Sequence, residues 1–256
     1  MKVQPRAAIS VALLALYMAI VVILWSINDV DYETVGDTTS NIVNGIVVPV
    51  GIGSAFLAVA ATWLGWWRPA LIEENKVGPR WAILLPVAMV VFVLLGISGI
   101  DFGSDNAKVL PVLALGTALV GFSEEFLTRG LMVVGFRGSV SEVWVWFLTS
   151  FLFGLLHGIN VFFGQSLGAT AFQMGFAFVL GSAFYLVRRI TGLLVVGMVI
   201  HALWDFGAIG ADATGGAAPV ASSLFVWIIV ILTVVLLFKV LRTPKDATLD
   251  GSIQTH

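Results

Sequence analysis

Three short groups of residues in this sequence carry side chains able to do chemistry, and each group sits inside a long apolar run. The first is Gly121-Phe122-Ser123-Glu124-Glu125-Phe126-Leu127-Thr128-Arg129-Gly130. Glu125 and Arg129 are four apart, so on a helix they share a face and can pair. Glu124 lies about 100° around that helix and has no obvious partner. The second group is Phe153-Gly154-Leu155-Leu156-His157-Gly158, with Phe153 and His157 on one face and two glycines that let a neighbouring helix come close. The third is His201-Ala202-Leu203-Trp204-Asp205, where His201 and Asp205 point the same way.

Such a set can activate water. A desolvated glutamate serves as a general base near neutral pH, and a histidine can share the water or protonate a leaving amine. A second histidine and its neighbour can stabilise a carbonyl oxyanion. A serine nucleophile is disfavoured, because Ser123 and Glu124 are adjacent positions that do not face each other. An aspartyl-type pair is disfavoured because Glu124 and Glu125 diverge around the helix. His157, His201 and a carboxylate (Glu124 or Asp205) would also make a three-ligand zinc site with an open water position. The stronger zinc signal, HExxH, is absent from the sequence. Taken singly, each group has a plainer reading: a buried ion pair, a packing histidine, an interhelical polar clamp.

The elements that must position these groups are membrane helices. Of 256 residues, 59% are apolar and 11% charged, against about a quarter charged in soluble domains. The apolar runs predict about eight spans, Ala7–Ile27, Ile42–Trp63, Trp81–Ile100, Val109–Phe136, Val143–Ile159, Ala169–Val187, Gly192–Ile209 and Ser222–Leu241, each near the ~20 residues that cross a hydrocarbon core. The first run is read as a helix rather than a cleaved leader. The expected fold is all-α, a polytopic bundle. Residues 1–242 would form one transmembrane domain with the chemistry within 121–206, and residues 243–256 a polar cytoplasmic tail. There is no cysteine, hence neither disulfides nor thiolate metal sites.

Lys2, Arg6, Arg68, Lys76, Arg80, Arg137, Arg188, Arg189, Lys239, Arg242 and Lys245 all fall on one side of an eight-span chain, and the opposite loops hold only Lys108. The positive-inside rule then puts both termini in the cytoplasm. The loop after the first span is acidic, with Asp29, Asp31, Glu33 and Asp37. Measured from the cytoplasmic ends of their spans at about 1.5 Å per residue, Glu124 lies ~18 Å deep, His157 ~21 Å and His201 ~14 Å. All three are near mid-depth of a ~30 Å core and can converge in one wet cavity.

Glu124-Glu125-x-x-x-Arg129, Phe153-x-x-x-His157 and His201-x-x-x-Asp205, in that order and each within an apolar helix, resemble the CPBP family of intramembrane proteases. That family includes the CAAX prenyl endopeptidases and the Abi bacteriocin-immunity proteins. The resemblance covers Glu124–Asp205. It implies Glu124 as the water-activating base, Glu125 with Arg129 and Phe153 as supports, His157 as a water-positioning residue, and His201 with Asp205 on the oxyanion side. The family often has Asn at the last position, where this chain has Asp205. An ionised carboxylate only accepts hydrogen bonds, so Asp205 must be protonated, orient His201 or bind a metal. A zinc ion held by His157, His201, Glu124 and Asp205 remains an option beside glutamate-activated water.

The expected activity is an intramembrane endopeptidase acting near the cytoplasmic half of a bacterial plasma membrane. Its partners would be the lipid bilayer and a peptide or membrane-protein substrate, prenylated or bacteriocin-like. No nucleic-acid partner is expected. Two alternatives stand beside it. One is a non-catalytic scaffold or immunity protein of the same fold. The other is an ion- or proton-coupled transporter, disfavoured by the lack of an inverted repeat or paired broken helices.

Overall fold

The structure, a computed structural model, describes residues 1–241; the expected tail 243–256, with Lys245, and the neighbouring Arg242 lie outside the described residues. Among the described residues, eight helices are long and apolar enough to cross a membrane. They are α1 (Ala7–Ile27), α2 (Thr39–Leu64), α3 (Arg80–Ile97), α4 (Asp105–Arg137), α5 (Glu142–Phe163), α6 (Leu167–Thr191), α7 (Leu194–Ala213) and α8 (Ala221–Val240). Among the described residues the only β pairing is an isolated bridge between Ile72 and Leu193. A lipid-embedded backbone must satisfy its own polar groups, and helices do so within one segment.

Local sequence sets where these helices begin, end and bend. Thr38 caps α2 by accepting from the Asn41 amide at 3.1 Å, and Ser166 caps α6 by accepting from the Ala169 amide at 3.3 Å. Gly65 and Gly192 end α2 and α6 in the left-handed region, at φ 70° and 82°. Two stretches are π-helical: Val43–Val47 in α2 and Phe126–Leu131 in α4. The second follows directly on Glu124 and Glu125, and such bulges cluster at functional sites. The last two turns of α5, His157–Phe163, tighten to 3-10 geometry and stop at Gly164, φ 99°.

α4 and α6 form the centre. Half of their most apolar stretch is buried in the protein, against 22% for α1 and α8, whose Val11, Leu16, Ile23, Trp227, Ile231 and Phe238 face outward. Helix contact depends on small residues, as it does where lipid removes the hydrophobic drive. At Gly121 of α4 a Cβ would sit 2.5 Å from the Met198 carbonyl oxygen of α7, so only glycine permits this α4–α7 approach. At Gly181 of α6 a Cβ would sit 2.6 Å from the Arg129 guanidinium.

The two ends of the bundle differ in charge. One end carries the chain start, the 65–79 connection, the α4–α5 and α6–α7 turns and the end of α8, and holds nearly all the Lys and Arg. There Glu73, buried although charged, pairs with Arg137 at 2.7 Å, with Arg188 at 3.6 Å and with Arg189 at 4.0 Å. Glu142 pairs with Arg137 at 2.6 Å and with Arg189, and accepts from the Tyr185 hydroxyl at 2.5 Å. The other end carries Asp29, Asp31, Glu33, Asp37, Asp101, Asp105 and Asp212, all exposed, with Lys108 as its one cation among the described residues.

Candidate active site

Glu124, Glu125 and Arg129 of α4 and His201 and Asp205 of α7 form one linked group, with the three acids facing the His201 ring. Glu124 and Glu125 end the α-helical part of α4, and the π-helical turn after them carries Arg129. Arg129 Nη1 binds Glu125 Oε1 at 3.1 Å, with both side chains fully buried. The guanidinium also donates to Thr128 Oγ1 at 2.5 Å and, through Nε, to the Gly181 carbonyl at 3.3 Å. The same Glu125 Oε1 lies 3.0 Å from His201 Nδ1. Glu125 is thus held twice, once within its helix and once across to α7. An arginine-paired carboxylate accepts, so His201 Nδ1 carries the proton of that bond.

The other face of His201 looks at two less constrained acids. Nε2 stands 3.5 Å from Asp205 Oδ2 and 3.8 Å from Glu124 Oε2. Neither contact is a well-formed hydrogen bond. Phe184 stacks on His201 at 5.1 Å between ring centres, and Phe153 meets it edge-on at 5.9 Å. Phe153 also lies 3.9 Å beneath the Arg129 guanidinium and 5.2 Å edge-on to His157. One phenyl ring therefore touches three of the polar groups and fixes their spacing.

His157 comes from the point where α5 changes from α to 3-10 geometry. Its Nδ1 lies 2.9 Å from the Phe153 carbonyl oxygen. A carbonyl only accepts, so Nδ1 is the protonated nitrogen and a neutral ring presents the Nε2 lone pair elsewhere.

A cavity of about 310 Å³ is lined by Glu124, His157, His201 and Asp205. Glu125, Arg129 and Phe153 do not line it; they lie behind His201. Further lining comes from residues the sequence motifs did not flag, notably Tyr17 of α1, Tyr32, Asn160 and Gln173. Tyr17 hydrogen-bonds Ser123 at 3.0 Å, beside Glu124. A tyrosine and a glutamine standing alone in apolar spans are the signal that would have singled out Tyr17 and Gln173. Trp204 is not part of this wall; it stacks on Phe92 of α3 at 3.9 Å.

A metal finds no ligand set in this arrangement. Among the described residues no group of three or more His, Asp or Glu side chains is placed to hold one. His201 Nδ1 is committed to Glu125 and His157 Nδ1 to a backbone carbonyl. These Nδ1 bonds leave both Nε2 atoms open, and the side chains named for zinc, His157, His201, Glu124 and Asp205, are not gathered into a three-ligand group among the described residues; no step below passes through a metal.

The fold and site define a multi-pass integral membrane protein with buried carboxylates and histidines gathered around a cavity. Residues 106–207 match the family model of the type II CAAX prenyl endopeptidases, Rce1-like, in agreement with the resemblance read from the motifs. The matched segment contains all three motifs and runs from the start of α4 to the middle of α7. The match covers less than half of the chain and shows what that segment is similar to. No curated protein and no solved structure matches the chain.

Proposed function

We propose that the protein is an intramembrane endopeptidase that hydrolyses a peptide bond with water activated by Glu124. The observation that carries this reading is the division of labour between two adjacent acids. Glu125 is locked by Arg129 and His201, whereas Glu124 lines the cavity without an arginine partner. Glu124 takes a proton from a water whose other hydrogen is accepted by His157 Nε2. The hydroxide adds to the scissile carbonyl carbon. The oxyanion accepts from His201 Nε2–H, whose contacts to Asp205 and Glu124 are long enough to leave that donor available. Glu124 then delivers its proton to the leaving nitrogen as the C–N bond breaks. Asp205 supports this role by orienting and balancing His201, which is how a carboxylate serves where the family often has an amide. The chain is read as one transmembrane domain with both termini cytoplasmic, in line with the Lys/Arg-bearing end.

The test is cleavage of a fluorogenic peptide panel, with prenylated and unprenylated members, by purified protein in liposomes. Wild type is compared with Glu124→Gln and His201→Ala, with and without chelator. Cleavage that persists with chelator and vanishes in both variants is the expected result. Rescue by zinc after chelation would replace the glutamate mechanism by a metal one. No cleavage of any member by folded protein would favour a non-catalytic scaffold.

A further inference from the structure

The site cavity is one-sided. Its deep wall is Tyr17, Glu124 and His201, each near the middle of its helix. From there the lining runs only one way, to Trp25 at the far end of α1, Val35 in the 28–38 loop, and Ile209 near the end of α7. These are the acidic-end portions of their elements. Toward the Lys/Arg-bearing end the path is closed by packing. Phe126, Leu127, Leu131 and Met132 are fully buried directly below the two glutamates, and Trp67 stacks on Phe126 at 4.8 Å. Arg188 seals that layer by donating to the carbonyls of Arg129 and, at 2.7 Å, Pro69. The cavity thus opens toward the acidic end, whereas the sequence reading places cleavage near the cytoplasmic half. Mid-depth residues are equally far from both faces, so depth alone could not give the direction.

The mouth is held by a short hydrogen-bonded chain. Gln173 Nε2 donates to Tyr32 Oη at 2.7 Å, and Asn160 Nδ2 donates to Gln173 Oε1 at 2.9 Å. The Tyr32 amide donates to the Phe163 carbonyl at 2.7 Å. The 28–38 loop is thus clasped to the end of α5 and to α6 across the opening. Burial holds the Tyr32 hydroxyl above the ordinary tyrosine range, so it stays a neutral phenol within this chain of bonds.

We infer that the substrate is a peptide segment presented at the acidic, extracytoplasmic face of the membrane, and that it enters through the mouth clasped by Tyr32, Gln173 and Asn160. The side follows from two independent asymmetries, the direction of the cavity and the concentration of nearly all Lys and Arg at the closed end. The inference rests on the peptidase reading for its statement that a peptide enters, but the route can be tested without turnover.

The chain has no cysteine, so single cysteines report cleanly. Ile209→Cys and Val120→Cys report on the cavity, Asp29→Cys on the acidic loop and Lys76→Cys on the opposite end. Each is treated with a membrane-impermeant maleimide in intact cells and in inverted vesicles. The expected result is that Ile209→Cys reacts from the same side as Asp29→Cys, in cells, and opposite to Lys76→Cys. Adding Tyr32→Phe, which weakens the clasp, is expected to speed the reaction of Val120→Cys several-fold. Adding Glu124→Gln is expected to leave labelling unchanged, so an inactive protein still reports its route. Reaction of the cavity cysteines only from the Lys76 side, or from neither side even with Tyr32→Phe, would overturn the inference. Labelling of Asp29→Cys only in inverted vesicles would overturn its assignment to the extracytoplasmic face.

Discussion

Two buried charge clusters occupy this bundle, and they are balanced in opposite ways. At the Lys/Arg-bearing end Arg137, Arg188 and Arg189 share Glu73 and Glu142, and each carboxylate has at least two arginine partners. At mid-depth the ratio is inverted, since Glu124, Glu125 and Asp205 share Arg129 and His201. Arg129 is spent on Glu125, which leaves Glu124 and Asp205 facing the cavity with His201 between them. The first cluster ties four chain segments into one sealed end. The second keeps acids in reserve, which is costly in a membrane unless it serves chemistry. Arginines outnumber carboxylates at the sealed end, and carboxylates outnumber their cationic partners at the candidate site.

Mutations should separate the two clusters. His201→Ala removes the group between three carboxylates and is expected to lower cleavage at least about 10²-fold while the protein still folds, read by turnover in liposomes. Arg129→Met leaves Glu125 buried without its partner and should cost about 3–5 kcal/mol, seen as a large drop in thermal midpoint or loss of folded protein in detergent. Glu142→Gln keeps the shape of the sealed end but weakens its bonds to Arg137, Arg189 and Tyr185. A loss of about 1–3 kcal/mol with near-normal turnover is expected. Turnover falling as far as with His201→Ala would show that the two clusters are not separable. Tyr17→Phe removes one hydroxyl bonded to Ser123, and should cost about 0.5–1.5 kcal/mol with a small change in cleavage rate.

Much of this was legible in the sequence, for identifiable reasons. α1 was read at Ala7–Ile27, its observed bounds, because Pro5-Arg6 and Asn28-Asp29 frame an uninterrupted apolar run. The four-residue spacing of Glu125 and Arg129 gave their ion pair, since it is a property of one helix. The bond from Glu125 to His201 spans 76 positions and two helices, and no local pattern carries it. The π-helical turn at Phe126–Leu131 was equally invisible, because no local pattern in its residues announces it. α5 was expected to end near Ile159; it continues to Phe163 as a 3-10 turn ended by Gly164, and brings Asn160 to the mouth.

The most direct test sets the two adjacent glutamates against each other, measuring cleavage and thermal midpoint for Glu124→Gln and Glu125→Gln side by side. The account predicts that Glu124→Gln abolishes cleavage and leaves the melting near wild type, while Glu125→Gln lowers the melting through its lost hold on Arg129 and His201. Cleavage by Glu124→Gln at the wild-type rate would contradict it.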